Sequence, residues 1–170
     1  MSKLLLHTCC GPCTIAVYEK LKGQDFDLTG FFYNPNIQPF EEYERRLLTL
    51  ARYAATVELK VVYDKAEPQH LAASSCYDCY RTRLQATAQK AVELGYGLFS
   101  TTLLISPYQQ HDLIKQLGEG IGSEFGVKFF YQDFRPLFRA GQKRAREMKL
   151  YMQKYCGCGA KPSSSGILKM

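Results

Sequence analysis

The sequence has no hydrophobic run long enough to cross a membrane. Its longest apolar stretches, such as residues 97–105, are about half of the roughly 20 residues that a membrane-spanning helix needs. The apolar run at residues 4–6 is too short for a signal peptide, and no small-residue cleavage site follows it. We therefore expect a cytoplasmic location.

Tryptophan is absent as well, and the chain contains neither an internal repeat nor a linker between two domains. The hydrophobic fraction of 46% and the charged fraction of 22% exclude a disordered or a fibrous protein. A chain of 170 residues usually folds around a single core. The sequence predicts one domain over residues 1–160 and a Ser-rich, mobile tail over residues 161–170.

Acidic residues are scarce in the last quarter of the chain. From residue 128 onward, ten Lys and Arg residues stand against two acids, Asp133 and Glu147, so this segment carries +8 within a total charge of +6. The preceding residues carry a balance of −2. A concentrated basic segment attracts a polyanion such as RNA, and we favour this interpretation slightly over a solvated helix face.

Segments with strand patterns alternate five times with segments that have helix patterns. The strands are predicted at residues 3–8, 28–33, 57–63, 98–105 and 128–131, and the helices at residues 12–23, 40–54, 76–93, 110–117 and 141–155. This order predicts an α/β fold, a three-layer, Rossmann-like parallel sheet of about five strands with helices on both faces. In such sheets the site lies in the loops after the carboxyl ends of the strands.

The seven cysteines are an odd number, which argues against a disulfide framework in a reducing cytoplasm. Five of them fall where the site is expected, at Cys9, Cys10, Cys13, Cys76 and Cys79. Free backbone N–H groups at a helix start favour thiolates there. Cys13 is equally well explained as a small buried hydrophobe. The other four are predicted to hold a metal.

The spacing of these four cysteines leaves two kinds of metal open. Structural zinc uses a CxxC joined to a second pair of cysteines. Iron–sulfur clusters also take four thiolates, although the ferredoxin spacing is absent. A position at the expected active site favours a metal that takes part in chemistry. Cys156 and Cys158, at the end of the last predicted helix, are interpreted as further ligands or as a redox pair.

Asp78 and Tyr108 are the candidate catalytic residues. Asp78 lies between Cys76 and Cys79, where it suits a ligand of a second metal, a general acid or a carboxylate favoured by the helix dipole. A tyrosine near the site is an alternative proton donor. His7, beside the first cysteines, is expected to be a satisfied histidine at the end of a strand.

Polar and aromatic residues in the same loops suit RNA recognition. Side chains that match a nucleobase by stacking or hydrogen bonding are Tyr33, Asn34, Asn36 and Gln109, although turn and capping roles explain them equally well. Candidates for RNA phosphates are Arg81, Arg83, Arg135, Arg139, Lys143, Arg144 and Arg146.

Seven blocks of the sequence resemble the QueH family of epoxyqueuosine reductases. They include Cys9-Cys10-x-Pro12-Cys13 and Cys76-x-x-Cys79. In full, the blocks are residues 4–13, 32–37, 42–46, 76–84, 101–109, 133–135 and 150–158. They follow one another over nearly the whole chain, and no signature position departs from the pattern.

The resemblance implies a function that the spacing of the cysteines does not establish. This function is a cobalamin-independent, two-electron reduction of the epoxide of epoxyqueuosine in tRNA to queuosine, the last step of queuosine biosynthesis. The resemblance also implies a fold similar to the adenine-nucleotide alpha-hydrolase group and a [4Fe-4S] cluster on cysteines beside an additional iron ion. ATP-using members of that fold group bind phosphate in the first loop. In this chain, the bulky thiols and Pro12 prevent a phosphate from coming close to the backbone of that loop.

Three other functions remain open on the residues alone. An ATP-dependent tRNA thiolation enzyme would use the cysteines for sulfur transfer, and ATP binding would support it. A zinc-stabilised tRNA-binding module would contain one zinc and no iron. A thiol–disulfide oxidoreductase is weaker, because the cysteines are too many and too widely spaced for one redox pair.

Overall fold

The computed structural model describes residues 1–64 and 73–157. Five parallel strands form one sheet in the order β3-β2-β1-β4-β5. The strands are β1 (Ser2–His7), β2 (Phe26–Phe32), β3 (Val61–Tyr63), β4 (Leu98–Thr101) and β5 (Lys128–Phe129). In the central strand β1, Leu5 pairs with Thr29 of β2 and with Phe99 of β4. The predicted five-stranded parallel sheet is confirmed.

Five helices connect and cover the strands. They are α1 (Gly11–Lys22), α2 (Phe40–Val57), α3 (Cys76–Glu93), α4 (His111–Phe125) and α5 (Phe138–Glu147). α1 packs against α2 and α5, whereas α3 packs against α4. Because the strand order reverses at β1, right-handed connections send these two sets of helices to opposite faces of the sheet. The three-layer, Rossmann-like fold is confirmed.

The core is centred on β1. Leu4, Leu5 and Leu6 are all fully buried, as expected for a parallel strand that is covered on both faces. They join the apolar sides of the helices in one large hydrophobic cluster. In residues 1–64 and 73–157, no helix combines the length and the apolar character that a membrane span requires.

α4 passes through Gly118, Gly120 and Gly122, which lie beyond the predicted helix over residues 110–117. That prediction ended the helix near its first glycine and was wrong, since α4 continues to Phe125. A Cβ atom at Gly118 would lie 2.5 Å from the ring of Phe129, and one at Gly122 would lie 2.6 Å from the carbonyl oxygen of Val127. Glycine therefore allows α4 to lie close against β5, and this contact outweighs the low helix propensity of glycine.

β5 covers only Lys128–Phe129 of the predicted residues 128–131, and two other strands are also shorter than predicted. β4 ends at Thr101, whose hydroxyl oxygen accepts the N–H of Leu103 at 3.1 Å and begins a 3-10 turn (Thr102–Ile105). β3 begins at Val61, because α2 continues to Val57 and ends in a left-handed residue. As a result, the turn before β3 and the turn after β4 both lie closer to the sheet than predicted.

The basic helix α5 lies earlier in the chain than the predicted residues 141–155. It ends after Glu147 because Lys149 adopts φ 55° and the N–H of Leu150 returns to the carbonyl of Ala145 at 3.0 Å. The buried side chain of Leu150 packs in the cluster that includes Ala145. We call residues 150–157 the C-terminal strap.

Candidate metal and thiol site

The loops after β1 and β4 meet at one edge of the sheet. β1 ends at His7 and the neighbouring β4 ends at Thr101. The N–H of Cys9 donates to the hydroxyl oxygen of Thr102 at 3.1 Å, which ties the two loops together. Because parallel strands end at the same edge, the loop after β1 (residues 8–10), which we call the cysteine loop, faces the 3-10 turn after β4.

The first thiol group consists of Cys9, Cys10 and Cys13. Their sulfur atoms all lie within 4.8 Å of one another, and all three side chains are buried. The sulfur of Cys10 caps α1 by accepting the N–H of Cys13 at 3.4 Å. Within residues 1–64 and 73–157, no other cluster of three or more Cys, His, Asp or Glu side chains has this spacing.

Two polar side chains direct hydrogen bonds at these sulfur atoms. The hydroxyl of Thr102 donates to Cys9 Sγ at 3.3 Å. Nε2 of Gln153, from the C-terminal strap, lies 2.8 Å from Cys10 Sγ and 3.8 Å from Cys13 Sγ. Neither residue was predicted to belong to the site, and their positions in the QueH-like blocks were the one available signal.

The three thiols differ in acidity. Hydrogen bonds from Cys10, Cys13 and Thr102 hold the pKa of Cys9 well below its usual range. Burial raises the pKa of Cys10 to about 12, and hydrogen bonding to Cys10 and Cys9 raises the pKa of Cys13. Hydrogen bonds that a sulfur atom accepts favour its thiolate, and the thiolate is the form that binds a metal.

The second thiol group consists of Cys76, Cys79 and Cys156. Cys76 and Cys79 lie in the first turn of α3, and the buried Cys79 packs with Cys156 of the strap. Burial and then the charge of Cys156 raise the pKa of Cys76. Cys156 also lines a small cavity with Cys9 and Cys13. The two thiol groups therefore adjoin one cavity.

Arg46 anchors the strap beside this cavity. Its guanidinium donates to the carbonyl oxygens of Tyr155 and Cys156, both at 2.7 Å, and its Nε pairs with Glu42 at 2.9 Å. Arg46 and Glu42 are buried, and the hydroxyl of Tyr151 donates to the second carboxylate oxygen of Glu42 at 2.6 Å. A buried ion pair thus fixes the backbone next to the strap cysteine.

His7 supports the cysteine loop and is fully buried. Its Nε2 lies 3.1 Å from the carbonyl oxygen of Tyr33 and 3.2 Å from Oδ1 of Asn34, while Nδ1 lies 2.9 Å from the hydroxyl of Thr101. Burial, with a contribution from the nearby charge of Arg83, lowers the pKa of His7 to about 4. The ring is therefore neutral at pH 7, with its proton assigned to Nε2. The expected satisfied histidine is confirmed.

The residues near the end of β2 that were predicted to recognise a base also make contacts within the protein. Asn34 and Asn36 are buried, and Nδ2 of Asn34 donates to the carbonyl oxygen of Thr8 at 3.0 Å. The half-buried ring of Tyr33 stacks on Phe31 with 6.1 Å between ring centroids. Their role in recognising a base stays a prediction.

Two other predicted substrate residues, Arg83 and Gln109, line the thiol cavity. Arg83 is buried, and Oε1 of Gln109 accepts the hydroxyl of Tyr80 at 2.6 Å. Arg135 lies elsewhere, on the surface, where it pairs with Asp133 at 2.8 Å. The predicted substrate residues are therefore divided between the cavity and the protein surface.

Asp78 lies in the first turn of α3, three residues after the N-cap residue Ser75. Its carboxylate accepts hydrogen bonds from the hydroxyls of Ser74 and Ser75, and these lower its pKa. Its own N–H donates to Ser75 Oγ at 3.1 Å. Metal ligation or proton transfer by Asp78 stays a prediction. Cys158 and the predicted tail lie outside the described residues.

The side chains of the first thiol group fit a metal–sulfur centre. Buried sulfur donors prefer zinc or iron–sulfur clusters to oxygen-preferring ions such as magnesium. Hydrogen bonds from Gln153 and Thr102 to the sulfur atoms match the supporting contacts that surround metal ligands. The fold and the site together define a parallel α/β protein with a thiol centre suited to a soft metal.

The family model described as "Epoxyqueuosine reductase QueH" matches residues 4–161. The chain belongs to this family. A Thermotoga maritima relative named "Epoxyqueuosine reductase QueH" is 33% identical, with 93% of this chain and 89% of the relative covered. A Dehalococcoides mccartyi relative of the same name is 35% identical, with 92% and 90% covered.

Solved structures also show distant likeness. The "U34-tRNA thiolase NcsA from Methanococcus maripaludis with its [4Fe-4S] cluster" is 9% identical, and the match covers 96% of this chain and 78% of that one. The TM-score of this match is 0.46.

Proposed function

We propose that this protein reduces the epoxide of epoxyqueuosine in tRNA to queuosine, the last step of queuosine biosynthesis, without cobalamin. The supporting observation is the group of three buried thiols within 4.8 Å at the carboxyl edge of the sheet, in a chain of the QueH family. The proposed substrate is a tRNA that carries epoxyqueuosine. An electron donor outside this chain completes the reaction.

The reaction balance defines what the site must provide. Conversion of an epoxide to an alkene consumes two electrons and two protons, and the oxygen leaves as water. When bound, a [4Fe-4S] cluster would supply electron transfer and an additional iron ion would supply a Lewis acid. The protein must hold these groups, orient the epoxide and deliver protons.

The proposed cluster ligands are Cys9, Cys10, Cys76 and Cys79. The first pair supplies two of the three clustered sulfur atoms, and the second pair occupies one turn of α3 in the second thiol group. Cys13 lies within the same 4.8 Å as the first pair and is therefore the alternative ligand to test.

Asp78 and Tyr108 are the proposed catalytic residues, with different roles. Hydrogen bonds from two serine hydroxyls lower the pKa of Asp78, so that its carboxylate is ionised at pH 7. An ionised carboxylate suits a ligand of the additional iron better than a proton donor. Proton donation by the hydroxyl of Tyr108 to the leaving oxygen stays a prediction, because the exposed ring packs on Phe138 and does not line the thiol cavity.

Substrate recognition is proposed to use both the cavity and the surface. Gln109 and Arg83 line the cavity and would contact the modified base or its ribose. The side chains proposed to complete recognition of the base are Tyr33, Asn34 and Asn36. The exposed Arg135 suits a phosphate of the tRNA backbone.

A cytoplasmic location and a redox role for Cys156 and Cys158 are further parts of the proposal. The six cysteines in the described part of the chain form no disulfide with one another, as is usual in a reducing compartment. Cys156 lies next to Cys79, and we propose that Cys156 and Cys158 act as a redox pair or as further ligands.

Anaerobic purification followed by iron and sulfide analysis tests the proposal. We expect about four irons and four acid-labile sulfides per chain, broad visible absorption and extra iron from the additional site. Incubation of the reduced protein with tRNA that contains epoxyqueuosine should yield queuosine, measured by mass spectrometry of the nucleosides.

Two other results would replace this proposal. One zinc per chain, with no sulfide after anaerobic reconstitution, would indicate a zinc-stabilised tRNA-binding module. ATP-dependent incorporation of sulfur into tRNA, without loss of the epoxide, would indicate a thiolation enzyme.

A further inference from the structure

A surface pocket lies between the loop after β4 and the basic helix α5. Its walls are formed by Tyr108 of the loop and by Phe138, Arg139, Gln142 and Arg146 of α5. The pocket has a volume of about 410 Å³. This volume falls within the range of small-ligand sites, about 300–1,000 Å³.

The pocket contains an exposed aromatic platform. Tyr108 is 42% exposed, and its ring meets that of Phe138 edge to face, with 6.0 Å between the centroids and 80° between the planes. Phe138 thus holds Tyr108 from one side. Exposed aromatic rings beside positive charge are the usual surfaces on which unpaired bases stack.

The arginines of this pocket are available for an anionic partner. Arg139 and Arg146 are exposed, and neither forms an ion pair within residues 1–64 and 73–157. The neighbouring arginines differ, since Arg135 pairs with Asp133 and Arg144 approaches Glu19 at 3.7 Å. Two uncompensated guanidinium groups on one wall favour phosphate or another anion.

The pocket adjoins the thiol cavity. Ser106 and Gln109 line that cavity, whereas Tyr108, between them in the sequence, lines the pocket. One short loop therefore separates the two spaces. α5 also packs against α1, where a Cβ atom at Gly141 would lie 3.7 Å from the carbonyl oxygen of Pro12 in the first turn of α1.

We propose that this pocket binds an unpaired base of the tRNA loop that adjoins the modified nucleotide. The base stacks on Tyr108, the amide of Gln142 contacts its edge, and Arg139 and Arg146 contact the flanking phosphates. This inference rests on the proposed function, because the thiol cavity must receive the modified nucleotide for the pocket to receive its neighbour.

RNA stem-loops with a 2-aminopurine base next to the target nucleotide test this inference. Stacking on Tyr108 should quench the fluorescence of 2-aminopurine when the anaerobically purified protein binds. Tyr108→Ala should remove the quenching and weaken RNA binding about 5- to 150-fold, the range measured for loss of one stacked base. Tyr108→Phe should retain both, because it keeps the ring.

Lys143→Ala is the matched control for charge. Lys143 is exposed on the same helix and does not line the pocket, so its loss should weaken binding modestly in low salt and leave the quenching intact. Arg139→Ala should weaken binding more than Lys143→Ala. Equal quenching by wild-type protein and Tyr108→Ala, or equal effects of Arg139→Ala and Lys143→Ala, would overturn the inference.

Different experimental results would contradict the proposed function and the proposed role of the pocket. Wild-type protein that leaves the epoxide intact, but shows Tyr108-dependent quenching, contradicts the reductase and supports the pocket. Wild-type protein that reduces the epoxide, but binds RNA equally well after Tyr108→Ala, supports the reductase and contradicts the pocket. Iron content measured in every variant shows whether the metal centre is intact.

Discussion

The two thiol groups differ in how they are held. In the first group the sulfur atoms are buried, lie within 4.8 Å of one another and receive hydrogen bonds from Thr102 and Gln153. In the second group, Cys79 is buried but Cys76 and Cys156 are partly exposed. Cys156 depends on a strap held by Arg46.

This difference suggests a division between a rigid and an adjustable half of the site. The first group lies on the loop after the central strand β1 and on the first turn of α1, where packing leaves little freedom. The second group combines a helix start with an irregular segment near the end of the described chain. We expect the first group to set the position of a metal and the second to respond to it.

Cysteine replacements should have the largest effect and test this comparison directly. Cys9→Ser and Cys76→Ser should each remove the visible absorption and reduce epoxide reduction to background, because each removes a proposed ligand. Cys13→Ser is the matched control and should retain both properties. Loss in Cys13→Ser with retention in Cys76→Ser would assign the metal to the first group alone.

Arg46→Met should release the strap and destabilise the protein by about 3–5 kcal/mol, because it leaves the Glu42 carboxylate buried without its partner. Urea denaturation of the metal-free protein measures the effect. The double variant Glu42→Gln/Arg46→Met should recover most of the lost stability, since neither charge remains. Equal stability of the single variant and the wild type would show that the ion pair does not anchor the strap.

His7 should make the stability of the metal-free protein depend on pH. The pKa of His7 is lowered to about 4 in the fold, while the unfolded chain retains about 6.5. The unfolded chain therefore binds more protons between these values, and about 3 kcal/mol is lost as the pH falls from 6.5 to 4. The loss should be smaller in His7→Gln, and identical pH profiles for the two proteins would contradict this account.

Gln153→Leu should have a smaller effect, confined to the first thiol group. It removes the N–H donor 2.8 Å from Cys10 Sγ, and loss of such a contact commonly weakens metal binding about 10- to 100-fold. Iron release to a chelator and the reduction potential of the centre measure this effect. Gln153→Glu, which also adds negative charge, should release iron faster still. Wild-type release rates in both variants would remove Gln153 from the site.

The cysteines of the site were more predictable than the residues that hold them in place. Turn residues and periodicity placed Cys9, Cys10 and Cys13 between a strand and a helix, and the structure brings their sulfur atoms together. The contacts of Gln153 and Arg46 were not predicted. Gln153 lies 143 positions from Cys10, and Arg46 lies 110 positions from Cys156, so no local pattern signals either contact.

The ends of the helices, too, were predictable where neighbouring residues decide them and not where a distant segment does. The start of α3 at Cys76 was predicted, and a serine before it caps the helix with a side-chain oxygen. The end of α4 was missed because its glycines are selected by the close approach of β5. Local rules assign glycine to a turn, and the distant strand reverses that assignment.

The sequence by itself determined the order of strands and helices, the parallel sheet and the placement of cysteines at its carboxyl edge. These properties depend on hydrophobic period, turn residues and handed connections, all of which act within a few residues or a single crossover. The tertiary structure alone decided that the strap joins the two thiol groups and that Tyr108 meets α5. Such contacts form between segments far apart in sequence, and packing of the whole chain selects them.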